Sequence, residues 1–204
     1  MPTQENLSEL ATELQSRIPE CLDDLSESPQ NILLHNKCIG AIATYVFVNT
    51  GHRYSVVINM LAQEVTKVQV SGDKVVIHVK DHKTAGSFGR VNMALSKKEY
   101  QWLHQFAQLR CELPGFRSLV KTFFFTSSGK PFRKLNGTVM DTCLNCGMPK
   151  AFTMSQLRSG VLTCIERGLP EDQRRLVSHM MCHSVETADR FYVAEPELAE
   201  LHVG

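Results

Sequence analysis

Two arginines, a lysine, a histidine and a tyrosine stand in this chain in an order that permits phosphate chemistry. Arg53 closes Thr50-Gly51-His52-Arg53, and Lys83 sits in Asp81-His82-Lys83-Thr84. Arg158 lies in Met154-Ser155-Gln156-Leu157-Arg158-Ser159-Gly160, and His183 precedes Tyr192 by nine residues. Cleaving a phosphodiester without a metal requires cations against the nonbridging oxygens, an in-line nucleophile and an acid for the leaving oxygen. Arginine suits the first role, because its planar fork grips two oxygens at once and stays charged. A lysine, with an ordinary pKa of about 10.4, donates a proton readily only where that value is lowered, and two neighbouring arginines help lower it. Each residue alone has a plainer reading. The arginines are then surface or ion-paired residues, Lys83 a solvated loop lysine with Lys80 as its competitor, His183 a structural hydrogen-bonder, and Tyr192 half-buried packing beside Phe191.

Taken in order, these boxes resemble the active site of the tyrosine recombinases, the phage-integrase family, which cut and rejoin DNA through a tyrosine–phosphate bond. In that family a His-Ser opens a helix, a Thr follows, and the nucleophilic tyrosine comes at the distance seen in His183-Ser184-Val185-Glu186-Thr187-Ala188-Asp189-Arg190-Phe191-Tyr192. Phe123 to Phe132, with its turn cluster Ser127-Ser128-Gly129-Lys130-Pro131, is similar to the family's strand and turn before the second arginine. The resemblance spans about residues 35 to 193. It implies Arg53 and Arg158 as a phosphate clamp, Lys83 as the acid for the departing 5′ oxygen, and His183 as a hydrogen-bonder to the phosphate or the transferring oxygen. Tyr192 is then the nucleophile that forms a 3′-phosphotyrosyl link. The resemblance implies duplex DNA as partner, dimers or tetramers on that DNA, and no metal or nucleotide cofactor.

One position departs from the pattern. The family's His-x-x-Arg box reads Ser155-Gln156-Leu157-Arg158, and a hydroxyl is smaller and far less basic than an imidazole. Losing one such group commonly costs on the order of 10²- to 10³-fold in rate. Three readings follow: a working strand transferase, a catalytically impaired, domesticated DNA-binding domain that keeps the recombinase fold, or a protein-interaction domain carrying the site as a relic. The helical domain that precedes the catalytic half in the family and clamps the far side of the DNA has no counterpart in residues 1–30, so a catalytic domain alone is expected. The cysteine content suggests a eukaryotic transposon of the Crypton type or a gene domesticated from one, and with it a nuclear location.

Charge supports a nucleic-acid partner only when it is divided along the chain. The 204 residues carry a net charge of +1. Residues 1–30 hold seven acids against Arg17, residues 195–204 hold three acids and no Lys or Arg, and residues 31–194 hold 21 basic and 11 acidic residues, a balance of +10. The expected division is an acidic helical segment at 1–30, a recombinase-like domain at 31–194 and a tail at 195–204. No apolar run is read as approaching the roughly 18 residues of a membrane span, and the N-terminus lacks the pattern of a signal peptide, so an intracellular protein is expected. Seven cysteines in no regular framework fit a reducing compartment. Cys143 and Cys146 form a CxxC that lacks two further zinc ligands, and His179 with His183 lacks a third, so no metal is expected.

The elements that must position the boxes follow from periodicity. Leu7, Leu10, Leu14, Ile18 and Leu22 mark one face of a helix within residues 5–27, Asp23 to Asn31 reads as a break, and further helices are read from Ile32 to about Val48 and from Arg53 to Leu61. Val68 and Val70, then Val75, Ile77 and Val79, alternate with other residues on either side of Ser71-Gly72-Asp73, and with a third run at 90–95 they predict a three-stranded antiparallel sheet. Ser96 and Glu99 form a capping box for a helix to about Arg110. Thr122 to Phe125 reads as a short buried run, and helices are expected near 135–146, 153–167, 171–181 and 185–193. The fold class is mixed α/β, mainly helical with one small sheet, like a tyrosine recombinase catalytic domain.

Overall fold

Leu7, Leu10, Leu14, Ile18, Cys21, Leu22 and Leu25 form one buried stripe along helix α1 (Gln4–Glu27) in the computed structural model, which describes residues 1–80 and 91–173. Burying each leucine contributes about 1.5–3 kcal/mol, so packing more than propensity holds the helix in place. Thr3 starts it: Asn6 N donates to Thr3 Oγ1 and Thr3 N to Asn6 Oδ1, both at 3.2 Å. Glu5, Glu9, Glu20, Asp23, Asp24 and Glu27 stay exposed, while the leucine stripe joins the same core as the rest of the described chain.

Helix α2 (Ile32–Thr50) is buried at every residue from Cys38 to Val48. It is capped by Asn31, whose side chain accepts from Leu33 N at 3.0 Å and Leu34 N at 3.2 Å. At 19 residues it is long and apolar enough to cross a membrane, which corrects the expectation that no run approaches that length. Lys37 and scattered polar residues such as His35, Asn36 and Thr44 break the run to the eye, yet the average remains apolar. From Cys38 to Val48 protein covers its faces: α1 packs on it, as do α6 (Leu135–Asn145) and α7 (Met154–Gly168). A Cβ at Gly40 would stand 2.5 Å from Thr142 Oγ1 and 2.8 Å from Thr138 Cγ2, so only glycine allows α6 this close.

The helix expected from Arg53 to Leu61 is two short ones, α3 (Tyr54–Asn59) and α4 (Ala62–Thr66). Tertiary hydrogen bonds break it: Phe123 N donates to Met60 O at 2.7 Å, Ala62 N to Lys121 O at 2.9 Å, and Leu61 bridges Thr122. Strands β1 (Gln69–Ser71), β2 (Lys74–Val79) and β3 (Val91–Ser96) pair antiparallel in the order 1-2-3. Gly72, at φ 58°, turns the first hairpin. The register sets Val75 against Leu95, Ile77 against Met93 and Val79 against Val91, so all six apolar side chains enter the core from one face.

Ser96 caps α5 (Lys97–Leu109), accepting from Glu99 N at 3.2 Å while its own N–H donates to Glu99 at 2.6 Å. Tyr45 of α2 donates to the same carboxylate at 2.6 Å, fixing α5 to the central helix. Burial alone would raise the Glu99 pKa, and the bonds from Tyr45 and Ser96 outweigh it and lower it. Only the first residues of the helix expected at 171–181, and none of that at 185–193, are among the described residues.

Candidate active site

The site begins at the end of α2. Gly51 takes the left-handed conformation (φ 61°, ψ 12°), its N–H donating to Phe47 O at 2.9 Å. Its own carbonyl lies at the helix C-terminus, where partial negative charge collects. Arg158 meets that carbonyl: its Nε donates to Gly51 O at 2.9 Å. Residues 107 positions apart in sequence are thereby joined, and Arg53 is only two residues beyond the joint.

Each arginine is held by the element around it. Arg53 is half-buried at the N-cap position of α3. Its box is stiffened by Thr50, whose hydroxyl donates to Val46 O at 2.6 Å, and by His52, buried at 3% exposure. Arg158 is half-buried on α7, which Thr153 opens with a capping box to Gln156. Leu157 enters the core beside it. A Cβ at Gly160 would stand 2.6 Å from Pro2 Cγ, so the chain start packs against the helix that carries Arg158. Ser155 lies in the first turn of α7 and is exposed. At three residues' spacing it shares a helix face with Arg158.

Lys83, His183 and Tyr192 lie outside the described residues. The strand that leads toward Lys83 is anchored by buried Glu64, which accepts from Leu61 N at 2.8 Å and from Lys80 N at 3.0 Å. Lys80 itself is exposed.

Three positioning residues each hold main chain that is distant in the sequence. Besides Glu64, Asn136 Oδ1 accepts from Met154 N at 3.0 Å, tying α6 to the residue before Ser155. The Tyr54 hydroxyl donates to the Arg133 carbonyl, and burial raises the Tyr54 pKa. That bond draws a segment with exposed Arg117, Lys121, Lys130, Arg133 and Lys134 toward the residue after Arg53. Cationic side chains at this density suit an extended anion. Cys143 and Cys146 are both buried, and among the described residues no group of three His, Cys, Asp or Glu could hold a metal ion.

No protein-family model matches the chain, and no curated protein does. Solved structures do match. XerH site-specific recombinase bound to difH substrate, in a pre-cleavage complex, superposes with a TM-score of 0.61 at 15% identity, over 96% of this chain and 50% of that one. XerA recombinase gives 0.55 at 15% identity, over 96% and 61%. The Tn1549 transposon integrase in complex with transposon right end DNA gives 0.50 at 15% identity, over 76% and 55%. The chain spans about half the length of the first of these. At such identity the likeness is one of fold, and the fold is that of a tyrosine recombinase catalytic domain.

Proposed function

We propose that this chain is a DNA strand transferase of the tyrosine-recombinase kind. One observation carries the reading: the hydrogen bond from Arg158 to Gly51 joins two arginine boxes far apart in sequence, in a fold shared with recombinases and integrases. Arg53 and Arg158 bind the nonbridging oxygens of the scissile phosphate, and His183 adds a hydrogen bond. The Tyr192 hydroxyl gives its proton to solvent as its oxygen attacks phosphorus, the bond to the 5′ oxygen breaks, and Lys83 protonates that oxygen. The product is a 3′-phosphotyrosyl link, and reversal with a new 5′ hydroxyl rejoins the strand. Stabilising the charge that builds on the phosphate is worth more than ground-state affinity, so the arginines act mainly on rate.

A second reading, a DNA-binding domain without turnover, is favoured by Ser155, which offers an exposed hydroxyl one turn from Arg158. A Crypton-type origin and a nuclear location rest on cysteine content alone. The test is a duplex nicked near the cleavage position, so that a short fragment diffuses away after attack. The strand-transferase reading expects an adduct that survives denaturant and is lost in Tyr192→Phe. Salt-sensitive duplex binding with no adduct supports the second reading, and no binding at low salt removes both.

A further inference from the structure

Three hydrogen bonds close a circuit around the two arginine boxes. Arg158 Nε donates to Gly51 O at 2.9 Å, and three residues after Gly51 the Tyr54 hydroxyl donates to Arg133 O. Three residues after Arg133, Asn136 Oδ1 accepts from Met154 N at 3.0 Å, and Met154 is the first residue of α7, the helix that carries Arg158. The bonds span 107, 79 and 18 residues of sequence, so none follows from local structure.

Two of these bonds use main chain that a helix leaves without a partner of its own, Gly51 O at the end of α2 and Met154 N at the start of α7. Bonds made there hold whole helices. The linking segment is itself fixed: Pro131 bridges Phe125, Arg133 N donates to Pro131 O at 2.8 Å, and Phe132 and Leu135 are buried. Close packing gives such a segment little room to yield, so a shift at Tyr54 is passed on to α7.

We infer that Tyr54 and Asn136 are positioning residues which, through this circuit, hold Arg53 and Arg158 at the spacing a phosphate requires, and so act on the rate of strand transfer and not on DNA affinity. The inference rests on the strand-transfer reading. A misplacement of about 1 Å at a reacting centre can cost about 100-fold in rate, so a link that only tightens the frame is worth less than that and still measurable. The bonds at Tyr54 and Asn136 lie in series. Breaking the second should therefore add little once the first is broken, whereas two independent braces would multiply their losses.

The experiment compares Tyr54→Phe, Asn136→Leu and the double variant of the full chain on a nicked duplex, by the rate of adduct formation at saturating DNA and by duplex affinity. Each single change should slow the rate about 10-fold, and the double change about 10-fold again in total, not about 100-fold, with affinity held within about twofold. Asn136→Asp, whose carboxylate still accepts from Met154 N, should recover most of the rate lost in Asn136→Leu. A second readout needs no turnover: the Arg158 Nε–H, identified in nitrogen-edited NMR spectra by its loss in Arg158→Ala, should exchange with water faster in either single variant. A wild type that forms no adduct removes the strand-transfer reading, and the exchange readout then decides the circuit alone. Unchanged exchange in both single variants, rate losses that multiply, or an affinity loss as large as the rate loss overturns the inference.

Discussion

Arg110 and Arg158 are handled in opposite ways by the fold. Arg110 is buried, and its guanidinium donates to Phe123 O at 3.1 Å, Thr122 O at 2.7 Å and Val120 O at 3.3 Å. It also lies over the rings of Phe116 and Phe125, 5.7 and 5.1 Å from their centroids. Burial lowers its pKa. Arg158 is half-buried, and its Nε donates to the Gly51 carbonyl at a helix end. The first arginine braces three main-chain carbonyls of the segment that bridges to Leu61. The second is joined to the box that carries Arg53, where the proposed reading places the scissile phosphate. Surroundings, not residue type, assign the two roles.

Removing the brace should give the largest effect. Arg110→Ala leaves three carbonyls short of donors, at about 1–3 kcal/mol for each that stays buried, so unfolding free energy should fall by about 4 kcal/mol in denaturant titration. A loss below about 1 kcal/mol would erase the contrast with Arg158. Arg158→Ala should cost little stability yet cut adduct formation on the order of 100-fold. A stability loss as large as that of Arg110→Ala would make Arg158 a second brace.

His35 sharpens the comparison, because it shares the Phe125 ring with Arg110 but has none of its hydrogen bonds. Its ring lies 5.2 Å from Phe125 and 6.2 Å from Phe106, and neither nitrogen has a hydrogen-bond partner among the described residues. Burial lowers its pKa to about 4. The folded state thus holds His35 neutral, while the unfolded chain takes up a proton below about pH 6.5. Stability is therefore fully present above that pH and falls between pH 6.5 and 4, by roughly 3 kcal/mol at the end of the window. His35→Leu should flatten this part of the stability profile and raise the melting temperature at pH 5, and an unchanged slope would contradict the burial argument.

The smallest effect is expected at Ser155. Ser155→His supplies a base near neutral pH one turn from Arg158 and should raise adduct formation ~10-fold with little change in duplex affinity. A folded variant that binds DNA and gains no cleavage would favour the DNA-binding reading.

What was legible in the sequence is what depends on neighbours in sequence. The leucine spacing of α1, the Gly72 turn and the Ser96–Glu99 box are local devices, and each stands where its spacing puts it. The break at Met60 and the bracing by Arg110 arise from contacts with residues 120–125, which no local pattern announces. Arg53 and Arg158 were legible as boxes, yet their joint through Gly51 belongs to tertiary structure. Glu64, Asn136 and Tyr54 went unseen because each acts on main chain 16 or more residues away.

The most direct measurement identifies the residue that carries the DNA. Adduct from a nicked duplex is digested with protease and nuclease, and the nucleotide-bearing peptide is sequenced by mass spectrometry. Strand transfer through the proposed site predicts a 3′-nucleotide on Tyr192, formed by the wild type, sharply reduced in Arg158→Ala and absent from Tyr192→Phe. A nucleotide on another residue, or an adduct that persists unchanged in Tyr192→Phe, would contradict it.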